Sequence, residues 1–177
     1  MKNELKSLVA LFATALLCSC AATPVKKEPK KLAQSGEKEY RAADAAARAG
    51  DSKKAIPRLK RFIANNPDTE ETANAHFALA QIYQNQQQYT DALTNYLSIV
   101  NMPTSSPLET EAALRASKIQ LRLNQPADAE KTLEGLRRAK TDSIDQKVEI
   151  EKTRYEALNA QKKHMRALEA LATLGEI

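Results

Sequence analysis

The sequence predicts an all-α protein built from about four pairs of antiparallel helices, and three observations carry that prediction. The chain of 177 residues contains four glycines, no tryptophan and only 5% aromatic residues. Alanine, leucine, glutamate, lysine, glutamine and arginine dominate it; these residues favour helices, and the β-branched and aromatic residues that favour strands are scarce. An alanine followed by two apolar residues also recurs at a nearly constant interval along the chain.

The N-terminal residues carry the pattern of a secretory signal. Two lysines lie within Met1–Lys6, and the apolar run Leu8–Leu17 follows with only Thr14 interrupting it. Ten residues of helix extend about 15 Å, roughly half of a bilayer core, so the run is too short to span a membrane. A buried core helix is the alternative, but it needs an amphipathic pattern that this run lacks. We therefore predict a signal peptide over residues 1–19.

Two cysteines, Cys18 and Cys20, close this segment. The stretch Leu17–Cys20 resembles the lipobox of bacterial lipoproteins, in which a leucine, two small residues and a cysteine mark the cleavage site. The resemblance implies that Cys20 carries acyl chains and that Cys18 leaves with the signal. It also implies sorting to the outer membrane, because Ala21 stands where an aspartate would retain a lipoprotein in the inner membrane. A metal pair is not expected, since no histidine or acidic residue lies nearby.

Residues 20–35 are predicted to form the lipidated cysteine and a flexible linker. This segment contains Pro24, Pro29 and the charged run Lys26–Lys31, with few apolar residues to offset the entropy of ordering. The helical domain is predicted over residues 36–177.

Within the domain, an alanine-anchored helix recurs. The anchors are separated by 37, 37 and 38 residues: Ala55, Ala92, Ala129 and Ala167. Apolar residues follow four and seven positions after each anchor: Leu59 and Phe62, Tyr96 and Ile99, Leu133 and Leu136, Leu171 and Leu174. A stripe at i, i+4 and i+7 that begins with a small residue is typical of a helix that packs closely on another helix.

A further helix is predicted before each anchor helix, with a short turn inside each pair. The clearest of these leading helices are NAHFALAQIYQNQ, residues 74–86, and AALRASKIQLRL, residues 112–123. Turns are predicted at Gly50–Asp51, Gln86–Gln88 and Asn124–Pro126. Capping residues are predicted at four helix starts: Asp51, Asp68, Ser106 and Ser143. Ser106 is followed by Pro107 and by Glu109, which suits a capping box.

This period and pairing resemble the tetratricopeptide repeat. The match is fullest in the second repeat, where the expected residue types are Leu79, Ala80, Tyr83, Tyr89, Ala92, Tyr96 and Ile99. The resemblance covers roughly residues 36–174, although the fourth repeat keeps only Ala167 and the two leucines after it. It implies a right-handed superhelix of about four helix pairs, with the first helix of each pair on the concave face.

The resemblance also implies a protein-binding groove at positions that packing leaves free. In the second and third repeats these positions are Asn74, Phe77, Gln81, Gln84, Asn85, Glu111, Leu114, Lys118 and Arg122. Their amides can pair with the backbone of a bound peptide, and a solvated helix face is the alternative interpretation. The clamp by which some members grip a terminal carboxylate is not expected, because only Arg115 of its basic and amide residues is present.

The sequence argues against catalysis. The two histidines, His76 and His164, lie in different repeats without cysteines or paired carboxylates around them. No glycine-rich loop is present to hold a phosphate. We expect no cofactor besides the lipid on Cys20, no metal and no small-molecule substrate. Without residues 1–19 the net side-chain charge falls from +5 to +4, which we interpret as a solvated surface and not as a nucleic-acid site.

The function predicted is that of a lipid-anchored adaptor that faces the periplasm and binds an envelope protein or peptide. Small periplasmic tetratricopeptide coordinators of peptidoglycan synthases, pilotins of secretins, and lipoproteins of β-barrel assembly are the proteins that the chain resembles. The alternative is a structural lipoprotein that binds peptidoglycan through the lysine-rich run Lys26–Lys31.

Overall fold

The computed structural model describes residues 31–136 and 143–176. These residues form helices in the order α1 (Gln34–Arg48), α2 (Ser52–Asn65), α3 (Glu70–Asn85), α4 (Tyr89–Val100), α5 (Glu109–Arg122), α6 (Pro126–Leu136), α7 (Ile144–Ala160) and α8 (His164–Glu176). The all-α prediction is confirmed. The predicted signal peptide, Cys20 and most of the predicted linker lie outside the described residues. Among those described, no helix is long and apolar enough to cross a membrane.

The helices pack as four consecutive pairs, α1 with α2, α3 with α4, α5 with α6, and α7 with α8. The turns inside the pairs are short, so the two helices of each pair run antiparallel. Each pair then stacks on the next through α2 with α3, α4 with α5, and α6 with α7. The first helices also meet, α1 against α3 and α5 against α7. The predicted arrangement of about four stacked helix pairs is therefore confirmed.

The anchor alanines lie in the packed core between the helices. Ala55, Ala92 and Ala129 are fully buried, and Ala167 is 2% exposed. The apolar residues after the first three anchors are buried as well: Leu59, Phe62, Tyr96, Ile99, Leu133 and Leu136. In the fourth pair the apolar stripe is only partly buried, because Leu171 is 41% exposed. The small residue and its stripe thus form the core of three pairs and only part of the fourth.

One backbone turn is repeated inside all four pairs. Each turn contains a residue in the left-handed region, with φ between 59° and 73°: Gly50, Gln87, Asn124 and Lys162. Each of these residues lies five positions before an anchor alanine. The following residue donates its backbone N–H to a carbonyl five residues back, at 2.8–3.1 Å: Asp51 to Ala46, Gln88 to Tyr83, Gln125 to Gln120 and Lys163 to Leu158. These are the bonds of a Schellman motif, and they confirm the three turns that were predicted.

The helix caps agree with prediction at two starts and differ at two. The side chains of Asp51 and Ser143 accept the expected bonds from the backbone N–H groups of the third residues after them. At α3 the predicted cap Asp68 is wrong: Asp68 takes φ 65° in the preceding turn, and Thr69 caps the helix by accepting from the Thr72 N–H at 3.1 Å.

The start of α5 also differs from prediction. Pro107 and Leu108 form a turn, and the helix begins at Glu109 with no side-chain bond from its cap residue, Leu108. Ser106 instead accepts from the backbone N–H of Leu108 at 3.2 Å. The predicted capping box is therefore absent, because the turn displaces Ser106 from the helix end.

The helical domain begins earlier than residue 36. Helix α1 starts at Gln34, and Leu32 is only 9% exposed within the core formed by helices α1 to α5. The close contact requires Gly36, because a Cβ there would lie 2.7 Å from the Leu32 Cδ1 and 2.8 Å from the Asn66 Oδ1. The predicted linker is shortened accordingly.

Candidate functional site

Six of the nine predicted groove residues line one open cavity beside α5. This α5 cavity has a volume of about 430 Å³ and is formed by the end of α3, the start of α4 and one face of α5. The predicted residues that line it are Gln84, Asn85, Glu111, Leu114, Lys118 and Arg122. Its other lining residues are Tyr89, Arg115 and Ile119. Residues that are separate in sequence therefore share a single surface.

The floor of the α5 cavity is apolar and its walls are polar. Leu114 is only 6% exposed and belongs to the core between α5, α6 and α7, while Ile119 is 5% exposed. Leu114 was predicted as a groove residue, but it is mainly a packing residue. Only an edge of its side chain reaches the cavity. The amides of Gln84 and Asn85 and the charged groups of α5 supply the polar walls.

Two of the three cations in the α5 cavity are paired with carboxylates. The Arg115 Nε lies 2.6 Å from the Glu111 Oε1, one turn away on α5. The Lys118 Nζ lies 2.5 Å from the Glu149 Oε1, so this pair joins α5 to α7. The hydrogen bond from Lys118 lowers the pKa of Glu149.

Arg122 is held by an aromatic ring instead of a carboxylate. Its Nη1 donates to the Tyr89 Oη at 2.8 Å, and its guanidinium carbon lies 4.9 Å from the centroid of the same ring. Over residues 31–136 and 143–176, no carboxylate lies within ion-pairing distance of Arg122. The hydrogen bond and the cation–π contact with one tyrosine both orient the guanidinium.

Phe77 supports the cavity from behind and does not line it. Its ring packs edge-on against Tyr96 with centroids 5.5 Å apart, and the Arg115 guanidinium carbon lies 5.4 Å from its centroid. The hydroxyl of the buried Tyr96 donates to the Gln84 Oε1 at 3.1 Å. Burial raises the pKa of Tyr96, so this hydroxyl remains a donor at neutral pH. Phe77 and Tyr96 thereby position Arg115 and Gln84.

Asn74 and Gln81 lie elsewhere along α3. Asn74 lines a separate cavity of about 350 Å³ at the start of α1 and α3. We call it the acidic cavity, because three of its lining residues are carboxylates; the set is Leu32, Glu37, Tyr40, Arg41, Glu70, Glu71 and Asn74. Gln81 is exposed and lines neither cavity. The structure therefore divides the predicted groove into two regions of opposite charge at the two ends of α3.

The two histidines occupy ordinary packing and surface positions. The His76 Nδ1 lies 2.9 Å from the Asn95 Oδ1, linking α3 to α4, and burial lowers the pKa of this imidazole. His164 is exposed at the start of α8. In the described segments, no group of histidine, cysteine or carboxylate side chains has the arrangement of a metal site.

Sequence reasoning missed three residues that line the α5 cavity. Tyr89 matched a packing position of the repeat, and Ile119 matched an apolar position of α5. Arg115 was noted only as the remaining residue of a different clamp. The Tyr89–Arg122 contact joins residues 33 positions apart. Only the interval between repeats, which places the start of α4 beside the end of α5, could have indicated it.

Comparison with known families agrees with the repeat that the fold displays. A profile described as tetratricopeptide repeat matches residues 40–107 and again residues 77–144. The two matches are offset by 37 residues, the interval between the first three anchor alanines, and together they cover more than half of the chain. No curated protein is recognisably similar to the chain.

Proposed function

The chain belongs to the tetratricopeptide repeat family, whose fold is typically a non-catalytic scaffold for protein interactions, and we propose that it is an adaptor holding a segment of a partner protein in the α5 cavity. The observation that carries this proposal is the convergence of six predicted groove residues on that one surface. Such convergence is what a peptide-binding site requires, because a bound segment must meet several side chains at once.

The chemistry of the α5 cavity suits a peptide. Gln84 and Asn85 offer amides that pair with backbone N–H and C=O groups regardless of sequence. The exposed edges of Leu114 and Ile119 offer an apolar floor for one side chain. The cavity is open on one side, so a chain can cross it without its ends being enclosed.

We further propose that the adaptor is lipidated at Cys20 and faces the periplasm from the outer membrane, where it supports envelope biogenesis. This part of the proposal is supported by residues 1–19 and by the lipobox-like stretch Leu17–Cys20 alone. Since Leu32 is packed in the core, the eleven residues 21–31 connect the acylated cysteine to the domain. Fully extended, they reach about 40 Å at most, which limits the distance of Leu32 from the membrane.

Site-specific photo-crosslinking in cells tests the adaptor. A photoreactive residue is introduced at Asn85, which is exposed at the edge of the α5 cavity, and in a control at Lys131, which is exposed on α6. We expect one dominant protein adduct from position 85, none from position 131, and loss of the adduct when Lys118→Glu is added with helicity unchanged. An adduct that forms equally from both positions, or that still forms in the Lys118→Glu variant, would mean that the partner binds outside the α5 cavity.

A further inference from the structure

We infer that the α5 cavity selects partner segments that carry an acidic side chain, and that Arg122 determines this specificity. The inference rests on the function proposed above and goes beyond it by naming the chemistry of the ligand. Three features of the described residues support it: the fixed orientation of Arg122, the pairing of the neighbouring cations, and the donors around the cavity.

The orientation of Arg122 is fixed before a ligand arrives. An exposed arginine ordinarily loses much side-chain entropy when it binds, which weakens the net interaction. Here one Nη is already bonded to the Tyr89 Oη at 2.8 Å, and the guanidinium lies 4.9 Å from the ring centroid. The remaining N–H groups keep the planar fork that matches a carboxylate with two parallel hydrogen bonds.

Among the described residues, no carboxylate compensates the charge of Arg122 in the α5 cavity. Arg115 is neutralised by Glu111 and Lys118 by Glu149, with N–O distances of 2.6 and 2.5 Å. A ligand carboxylate at either cation would share it with the carboxylate that already neutralises it, so the added attraction is small. At Arg122 it would meet a cation for which the described chain supplies no competing anion.

The groups around Arg122 also favour a carboxylate. The Gln84 Oε1 accepts the Tyr96 hydroxyl at 3.1 Å, which orients the side chain and leaves its NH₂ group able to donate to a ligand. Within the same cavity, such donors suit an anion. Conversely, Glu37, Glu70 and Glu71 of the acidic cavity repel an acidic segment from the other end of α3.

Selection from a peptide display library tests this inference. Random twelve-residue peptides without a free C-terminal carboxylate are selected on the full-length protein, so that any acidic preference comes from side chains. Four proteins are compared: the wild type, Arg122→Gln, Arg122→Glu and Lys131→Gln. Lys131→Gln removes the same charge from an exposed position on α6, outside the cavity. Circular dichroism verifies the helicity of each protein, and crosslinking from position 85 verifies that the peptides occupy the α5 cavity.

We expect aspartate or glutamate to be enriched at one peptide position by the wild type and by Lys131→Gln. Binding of those peptides to Arg122→Gln should weaken about tenfold, and Arg122→Glu should enrich lysine or arginine instead. Peptides that crosslink from position 85 without an acidic position, or an acidic preference that persists in Arg122→Gln, would overturn the inference and leave the proposed adaptor standing. If the folded protein enriches no peptide, both the inference and the adaptor fail.

Discussion

The carboxylate of Glu130 lies 2.6 Å from the guanidinium of Arg166, which joins α6 to α8 across the interface between the third and fourth helix pairs. The Glu130 side chain is only 6% exposed, and it also accepts from the Lys163 Nζ at 2.7 Å and the Gln161 Nε2 at 2.8 Å. A single buried carboxylate therefore gathers three donors from the turn and helix of the fourth pair.

This cluster predicts a dependence of stability on pH. Burial alone would raise the pKa of Glu130 above its ordinary value of 4.5, but the bonds from Lys163 and Gln161 and the nearby positive charges lower it overall. A carboxylate with a lower pKa in the folded state stabilises the fold fully above the unfolded value, and that stabilisation is lost as pH falls through the folded pKa. We expect the free energy of unfolding to fall as the pH is lowered below about 4.5.

Glu130→Gln tests the cluster directly. We expect the variant to lose about 2 kcal/mol of unfolding free energy at neutral pH, since bonds to a charged acceptor are replaced by weaker ones, and to lose part of the acid dependence. Urea titrations followed by circular dichroism between neutral and acid pH measure both effects. The matched control is Glu134→Gln, which breaks an exposed bridge to the same Arg166 and should cost less than about 1 kcal/mol. Equal losses in the two variants would contradict the role of Glu130.

The left-handed turn residues predict stabilising substitutions. Gln87 and Lys162 adopt φ of 61° and 59°, where a side chain is strained and glycine is not. We expect Gln87→Gly and Lys162→Gly each to raise the unfolding free energy by about 0.5–1 kcal/mol. Gln86→Gly is the control, because Gln86 has φ −83° and glycine there should lower stability. Thermal unfolding of the three variants decides; a loss of stability in all three would show that the turn does not carry this strain.

Leu133 and Leu171 occupy equivalent repeat positions in different surroundings. Leu133 is fully buried between the third and fourth pairs, whereas Leu171 of α8 is 41% exposed. We expect Leu133→Ala to cost about 3 kcal/mol, through lost burial and a cavity, and Leu171→Ala to cost less than about 1 kcal/mol. Denaturant unfolding at several protein concentrations measures both. A comparable cost for Leu171→Ala would mean that its exposed face is covered in solution.

Lipidation predicts different outcomes for the two cysteines. Cys20→Ala should abolish incorporation of radiolabelled palmitate and release the protein from the membrane fraction. Cys18→Ala should leave both unchanged, because Cys18 is predicted to leave with the signal. Radiolabelling of cells that express each variant measures this. Loss of the label in Cys18→Ala instead of Cys20→Ala would show that Cys18 is the lipidated residue.

Deletion of Lys26–Lys31 separates the adaptor from the wall-binding alternative. The described residues that line the α5 cavity lie on α3, α4 and α5, so crosslinking from position 85 should persist in the deletion variant. Binding to purified peptidoglycan is measured in parallel. Crosslinking that disappears together with peptidoglycan binding would favour the wall-binding protein.

The helix pairs were predictable because their signal is local and periodic. Ala92, Tyr96 and Ile99 recur with the same spacing in other repeats, and that spacing alone requires a helix with one buried face. The cap of α3 was not predictable, because Asp68 and Thr69 are adjacent and both residue types cap helices. The choice depends on the backbone of the preceding turn, where Asp68 takes the left-handed conformation.

The candidate site was predictable in position but not in chemistry. Repeat register alone placed Gln84, Lys118 and Arg122 on one surface. It could not indicate that Lys118 is paired with Glu149 and Arg122 with Tyr89, because those contacts depend on side-chain conformations across different repeats. The division of charge between the cavities follows from the charged residues that line each one.

Helix α3 fixes the distance between the acidic cavity and the α5 cavity. Its first turn contributes Glu70, Glu71 and Asn74 to one, and its last turn contributes Gln84 and Asn85 to the other. Gln84 lies thirteen positions after Glu71 on the helix, which corresponds to about 20 Å. This separation belongs to one rigid element, so bending between repeats leaves it unchanged. An extended partner segment that contacts both cavities must therefore carry a basic residue for the acidic cavity and an acidic residue for the α5 cavity, about six positions apart.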